Sequence, residues 1–109
     1  MIIINDSQSD VICFLSRKSF EKSGFSDLHS TTEIIKNGFG SLIPRNFGGW
    51  EEYIEECDMK KARIYVIATD SVDKYGWDKI YEKGIYKKKY LLTIEDLDKI
   101  NWEITYDGK

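Results

Sequence analysis

The apolar residues of this chain fall into short runs that alternate with polar, turn-forming segments. Ile2–Ile4 and Val11–Leu15 are two such runs, and the polar stretch between them predicts two strands joined by a connection. Arg63–Thr69 is β-branched and aromatic with little polar alternation, which is typical of a central strand that is buried on both faces. These three segments predict the framework of a sheet.

The segment after the second run predicts a helix and then a loop. Ser26 can accept hydrogen bonds from the free amides of a helix start. Leu28, Ile34 and Ile35 would share the inner face of this helix, and Asn37-Gly38 would end it. Phe39–Gly49 carries three glycines and the only proline of the chain, so we expect a loop there.

The C-terminal third predicts a second capped helix, an edge strand and a last helical turn. Ser71 caps a helix that ends at Gly84. Ile85–Leu92 carries a run of lysines, which is typical of an edge strand because charges discourage pairing with other chains. Thr93 caps a single helical turn that ends near Lys99. The tail then alternates as a half-buried strand, with apolar positions at Trp102, Ile104 and Tyr106.

Length and charge restrict the classes of protein that fit these elements. With 109 residues, 41% of them hydrophobic, we expect a single small layered domain over residues 1–109, α/β or α+β in class, with a three- to five-stranded sheet packed with about three helices.

The net charge of −3 favours basic protein partners over nucleic acid, and the lysines of Lys60–Arg63 and Lys87–Lys89 are more typical of solvent-facing positions than of an RNA-binding patch. No apolar run reaches the length of a membrane span, and the start lacks the features of a signal peptide, so we expect a cytoplasmic protein that does not bind membranes. The oligomeric state stays open.

The most informative segment is a short helix predicted from Trp50 to about Asp58. At about 100° per residue, its apolar side chains share one arc and its glutamates share the opposite arc, with no lysine or arginine among them. The glutamates form like-charge pairs four residues apart, each of which costs about 0.2–0.5 kcal/mol of helix stability. A role outside the fold is therefore the natural hypothesis for this face. The apolar arc contains Trp50, Tyr53, Ile54 and Cys57, and the acidic arc contains Glu51, Glu52, Glu55 and Glu56.

The chain contains few of the residues that catalysis or metal binding requires. His29 is the only histidine, and its place after a predicted cap is more typical of a surface or packing residue than of a catalytic base. Cys13 and Cys57 lie in apolar segments, so we interpret them as reduced structural thiols. We therefore expect a protein that is not an enzyme, with no catalytic residue, no metal site and no cofactor. A cation held between Glu51 and Glu55 is the alternative to a solvated helix face.

Three segments of the chain together resemble the barstar-type ribonuclease inhibitors. They are Phe25–His29, Pro44–Gly48 and the helix from Trp50 to Cys57, and the resemblance extends over residues 25 to 69. It implies a small parallel sheet under helices, with Leu-His in the first helix. It also implies that a loop and an acidic helix plug the cationic active site of a secreted ribonuclease.

The resemblance also suggests which glutamates would contact such a partner. The family's two helical aspartates fall on Glu51 and Glu55 if one residue is missing before Trp50, or on Glu52 and Glu56 without a gap. We prefer the first alignment because it keeps the apolar residues of the helix on the core side.

These observations predict an immunity or inhibitor protein that blocks the active site of a partner toxin. The partner would be a nuclease with a cationic active site, because clustered carboxylates accelerate the encounter with such a site and help to specify it. The alternatives are a small enzyme and a virus-encoded inhibitor of a host nucleic-acid enzyme, in which the acids would imitate phosphates. The predicted partner-binding residues are Phe47, Trp50, Glu51, Glu52, Glu55, Glu56 and Asp58.

Overall fold

The strands of this chain form two sheets with a shared interior. The computed structural model describes residues 1–16, 28–43 and 49–108. Its strands are β1 (Ile2–Asn5), β2 (Val11–Ser16), β3 (Leu28–Ile34), β4 (Phe39–Ser41), β5 (Ala62–Ala68), β6 (Lys88–Leu92) and β7 (Glu103–Tyr106). One sheet has the order β3-β2-β5-β6, and the other has the order β4-β1-β7.

Strand β5 is the centre of the four-stranded sheet. It pairs antiparallel with β2 on one side and with β6 on the other, and all seven of its residues are buried. Ile64 and Val66 belong to one core cluster, whereas Tyr65 and Ile67 belong to a second cluster on the opposite face. The central strand predicted at Arg63–Thr69 is therefore confirmed, and its β-branched and aromatic composition follows from burial on both faces.

The connection between β1 and β2 carries the chain from one sheet to the other. Asn5 is fully buried at this point. Its side-chain amide donates hydrogen bonds to the carbonyl oxygens of Ser9 at 2.8 Å and Ile34 at 3.1 Å, and its Oδ1 accepts one from the backbone N–H of Ser7 at 3.1 Å. Because a buried amide without partners would be costly, these bonds fix the shape of the connection.

Helices cover both faces of the four-stranded sheet. The described α-helices are α1 (Gly49–Glu56), α2 (Thr69–Tyr75), α3 (Trp77–Lys83) and α4 (Ile94–Lys99), and a 3₁₀ turn over Asp58–Lys60 follows α1. Tyr53 of α1 and Leu97 of α4 belong to the core cluster that also includes Ile3 of the three-stranded sheet. Ile80 of α3 packs with Phe14 in the cluster on the other face. The small layered domain predicted from the sequence is confirmed as α+β, with its strands divided between two sheets.

The helix predicted from Ser26 to Asn37 is wrong for its described part. Leu28–Ile34 forms β3, which pairs antiparallel with β2. Thr31 and Thr32 are β-branched, which suits a strand better than a helix, and pairing with a buried neighbour overrides a weak local helix signal. The predicted cap itself lies outside the described residues.

The small parallel sheet implied by the barstar-type resemblance is also wrong for this chain. The four-stranded sheet is antiparallel throughout, and Leu28 and His29 lie in β3 instead of a helix. Parallel neighbours need a long crossover connection, whereas β2 and β3 are consecutive strands that pair antiparallel. The parallel pair among the described strands is β1 with β7, at opposite ends of the sequence.

Several element boundaries also differ from the expected ones. The loop expected at Phe39–Gly49 begins with the short strand β4, which pairs with β1. The helix expected from Ser71 to Gly84 begins at Thr69 and is divided into α2 and α3 by Gly76, whose φ of 79° is left-handed. The lysine-bearing edge strand, the Thr93 cap and the half-buried tail strand are confirmed.

Gly40 allows β4 to approach β3 closely where the two sheets meet. A Cβ atom at this position would lie 2.9 Å from Thr32 Oγ1 and 3.0 Å from Ile34 Cγ1. Both neighbours are β-branched side chains with stiff χ1 angles, so neither moves aside easily. The glycine is therefore required by space at this contact.

We expect Gly40→Ala to lower the free energy of unfolding by about 1–3 kcal/mol, the usual cost of overpacking. Urea denaturation followed by tryptophan fluorescence measures the change. Ser41→Ala is the matched control, because Ser41 is the next residue of β4 and is exposed. Equal stabilities of the two variants would mean that the strands have room for the added methyl group.

Candidate functional site

Helix α1 is fixed to the rest of the molecule by an aromatic contact at its first turn. The ring of Trp50 packs against Trp102, with the centroids 5.4 Å apart and the planes at 55°. It also meets Tyr53 edge-on at 5.8 Å. Trp102 lies just after α4, and its indole Nε1 donates a hydrogen bond of 2.9 Å to Asp98 Oδ1. The orientation of α1 therefore depends on α4 and on the turn that follows it.

The inner side of α1 is the apolar arc expected from the sequence. Tyr53, Ile54 and Cys57 are buried, with exposed fractions of 0%, 4% and 6%, and Trp50 is half-buried. The Cys57 thiol donates a hydrogen bond of 3.2 Å to the Tyr53 carbonyl oxygen one turn earlier. The predicted division of this helix into two sides is confirmed.

The outer side of α1 presents its four glutamates to solvent. Glu51, Glu52, Glu55 and Glu56 are all exposed. Glu55 Oε2 lies 3.5 Å from Lys60 Nζ, and both side chains are about two-thirds exposed or more, at 68% and 70%. An ion pair that is this exposed contributes about 0–1 kcal/mol, so Lys60 leaves the acidic character of the face largely intact.

The remaining predicted partner-binding residues have different surroundings. Asp58 is half-buried in the 3₁₀ turn, and its backbone carbonyl accepts a hydrogen bond of 3.4 Å from Arg63 Nη1. The ring of Trp50 packs against Trp102 of the same chain. Phe47 lies outside the described residues. The structure thus brings the four glutamates together on one face, with Asp58 one turn farther along.

The approach of Lys60 to Glu55 is a feature that the helical pattern missed. Met59 and Lys60 have left-handed backbone angles, with φ of 61° and 55°, and they turn the chain back beside α1. A lysine five positions after a glutamate would not meet it along a straight helix. The helix predicted to reach about Asp58 ends at Glu56, and the sequence signal for this end is that no apolar residue follows Cys57 at helical spacing.

A groove with an apolar floor separates α1 from the start of α4. It has a volume of about 340 Å³. Ile54 and Ile94 are its apolar residues, and Glu55 and Glu95 bring one carboxylate from each helix. Lys60 and Thr93 complete the lining. No pattern in the sequence indicates this groove, because Ile54 and Ile94 are 40 positions apart along the chain.

A reciprocal pair of hydrogen bonds fixes the start of α4. Thr93 Oγ1 accepts a hydrogen bond of 3.1 Å from the backbone N–H of Asp96, and Asp96 Oδ2 accepts one of 3.0 Å from the backbone N–H of Thr93. The backbone hydrogen bond from Thr93 lowers the pKa of the Asp96 carboxyl below its usual value, and the side-chain bond and nearby lysines act in the same direction. This capping box fixes the point at which α4 begins, and Ile94 and Glu95 are the first two residues of that helix.

A cavity of about 370 Å³ lies elsewhere, between the β1–β2 connection and the tail. Its lining includes Asp6, Lys87 and Asp107. The cavity lies at the Val11 end of β2, whereas His29 belongs to the part of β3 opposite the other end of β2. The only histidine is therefore not brought to this cavity. Within residues 1–16, 28–43 and 49–108, no three side chains of the metal-binding types come together.

Both cysteines are buried free thiols, as expected from their apolar segments. Cys13 is fully enclosed in the core, and this burial raises the pKa of its thiol to about 12. The reactive thiolate of Cys13 is therefore almost unpopulated near neutral pH.

Comparison with known proteins assigns no family to this arrangement. No family model, no curated protein and no solved structure matches the chain. In the described part of the chain, none of the helices has the length and apolar character needed to cross a membrane.

We expect Thr93→Ala to destabilise the protein by about 1 kcal/mol, because it removes the side-chain acceptor of the capping box. Urea denaturation gives the magnitude. Thr93→Ser keeps the hydroxyl group and serves as the matched control. A Thr93→Ala variant as stable as Thr93→Ser would show that the cap contributes nothing to α4.

We expect the two thiols to be unreactive toward DTNB in the folded protein and to react fully once guanidinium chloride unfolds it. The reason is burial of both side chains, reinforced at Cys13 by its raised pKa. Absorbance of the released thiolate follows the reaction, and Cys13→Ser and Cys57→Ser assign it to individual residues. Rapid labelling of Cys13 without denaturant would contradict its enclosed position.

Proposed function

We propose that this chain is a cytoplasmic immunity or inhibitor protein that binds a partner toxin through the acidic face of α1, defined as Glu51, Glu52, Glu55 and Glu56. The partner would be a nuclease whose active site is cationic. The observation that carries the proposal is a helix with four exposed carboxylates on one side and a buried, aromatic-anchored side opposite. Such a protein would act stoichiometrically and without a cofactor.

The anchoring of α1 favours binding because it reduces the cost of ordering the surface. The backbone that carries the glutamates is already fixed by Trp50 and by buried Tyr53, so a partner has only to order exposed side chains. Carboxylates of one sign on a fixed helix also steer a cationic partner and raise its association rate.

Two of the glutamates are the preferred contacts. Glu51 and Glu55 lie one turn apart on α1, and both are exposed, so a single cationic group can reach both. A partner cation at Glu55 would have to displace Lys60. Since an exposed ion pair of this kind contributes about 0–1 kcal/mol, that displacement is a small obstacle.

The same face would also suit a virus-encoded inhibitor of a host nucleic-acid enzyme. In that case the closely spaced carboxylates would occupy the positions of nucleic-acid phosphates. The neighbouring genes distinguish the two candidates, because an immunity protein is expected beside its toxin.

The test uses the product of a toxin-like reading frame beside this gene. We expect Glu51→Lys/Glu55→Lys to weaken its binding by about 100-fold or more, since close charge pairs at an interface can each contribute over 1.5 kcal/mol. Calorimetry over a range of salt concentrations measures the affinity, and a nuclease assay measures the loss of inhibition. We also expect the salt dependence of binding to become shallower.

The matched control is Asp78→Lys/Glu82→Lys. These exposed acids have the same spacing on α3, which packs on the opposite face of the four-stranded sheet. We expect the control variant to bind almost as tightly as the wild type. If the α1 variant binds with unchanged affinity and salt dependence, or if both variants lose binding equally, the proposed surface is wrong.

A further inference from the structure

We infer that the groove between α1 and α4 receives an arginine side chain of the protein partner. This inference rests on the proposed function. It adds α4 as a second element that contacts the partner, and it names a guanidinium group as the bound chemical group. The groove is lined by Ile54, Glu55, Lys60, Thr93, Ile94 and Glu95 and has a volume of about 340 Å³.

The lining of the groove fits a long side chain that is apolar along its stem and charged at its tip. Ile54 is 4% exposed and Ile94 is half-buried, so the two isoleucines offer apolar contact below the surface. Arginine buries its methylene stem on such a surface while its guanidinium stays at the rim. An uncharged apolar side chain would contact the two isoleucines and make no ion pair with Glu55 or Glu95.

The charges at the rim favour a guanidinium over an ammonium group. Glu55 stands on α1 and Glu95 on α4, so carboxylates approach the groove from both walls. A guanidinium has five N–H donors in a flat fork and can bond to two carboxylates at once, whereas an ammonium is a compact, strongly hydrated charge. Both glutamates are exposed and belong to the same groove, which makes them accessible to an incoming side chain.

The contact of Lys60 with Glu55 shows a cation already placed beside one of these two carboxylates. The Lys60 ammonium lies 3.5 Å from Glu55, although its side chain is 70% exposed and only loosely held. An arginine from outside would replace this internal cation. Lys60 is therefore a competitor, and its removal should strengthen binding, an effect opposite in sign to that of removing Glu95.

N-acetyl-arginine amide is the probe, titrated into the full ¹⁵N-labelled chain and followed by NMR. We expect saturable shifts of the backbone amides of Ile54, Glu55, Ile94 and Glu95. N-acetyl-citrulline amide has almost the same shape without the charge. We expect it to bind about two- to fivefold more weakly, because ion pairs with exposed carboxylates contribute little free energy. Equal binding of the two probes, or shifts that do not saturate at these residues, would overturn the inference.

Three exposed substitutions sharpen the test. We expect Glu95→Gln to weaken arginine binding about twofold or more and Lys60→Gln to strengthen it by a similar factor. Glu82→Gln on α3 is the matched control and should change nothing. Because all three positions are exposed, loss of folding does not explain a difference, and an unchanged affinity for Glu95→Gln and Lys60→Gln would contradict the inference.

Toxin binding separates this inference from the proposed function. If Glu51→Lys/Glu55→Lys abolishes toxin binding but Glu95→Gln and the groove-filling Ile94→Trp do not weaken it, the acidic face binds the toxin and the groove does not. If none of these variants weakens toxin binding, the proposed function fails. In that case arginine-selective shifts in the probe titration would still show that the groove itself binds a guanidinium.

Discussion

The contact between Trp50 and Trp102 is the interaction on which the candidate site depends. It joins the first turn of α1 to the turn after α4, and these are the two helices whose residues line the groove. Asn101 and Trp102 both adopt left-handed backbone angles, with φ of 56° and 58°, at a cost of about 1–2 kcal/mol per residue. A hydrogen bond of 2.9 Å from the Trp102 N–H to the Leu97 carbonyl and the burial of the indole against α1 offset this cost.

The buried inner side of α1 explains how the fold tolerates an acidic helix. The two like-charge pairs along α1 cost about 0.2–0.5 kcal/mol each. Burial of the Ile54 side chain, which is 4% exposed, contributes about 1.5–3 kcal/mol, and this exceeds the cost of the two like-charge pairs. The acidic face is therefore free to vary without loss of the helix. This is the condition under which a surface can be adapted to a partner.

The sequence predicted those elements whose pattern is set by local burial. β5 is buried on both faces, α1 has two distinct sides, and Thr93 forms a capping box with Asp96. Each of these elements therefore has a local sequence pattern from which it can be predicted. The helix predicted across Leu28–Ile34 failed because its state is decided by pairing with β2, which is a long-range interaction. The groove could not be predicted for the same reason. It requires the left-handed turn at Met59 and the packing of two helices that are distant in sequence, and neither produces a periodic pattern.

The net charge of −3 conceals an uneven distribution that matters more than the total. The glutamates of α1 share one helix face, whereas Lys87, Lys88 and Lys89 lie along or just before the edge strand β6. At physiological ionic strength, charges farther apart than about 8 Å are largely screened from each other. The proposed partner would therefore respond mainly to the charges nearest to it, which on α1 are the four exposed glutamates and the adjacent Lys60. The aromatic contact of Trp50 holds these glutamates on one face of α1. In the proposed complex, a cationic side chain that meets this face would lie beside the groove between α1 and α4, which is lined by Ile54, Ile94, Glu55 and Glu95.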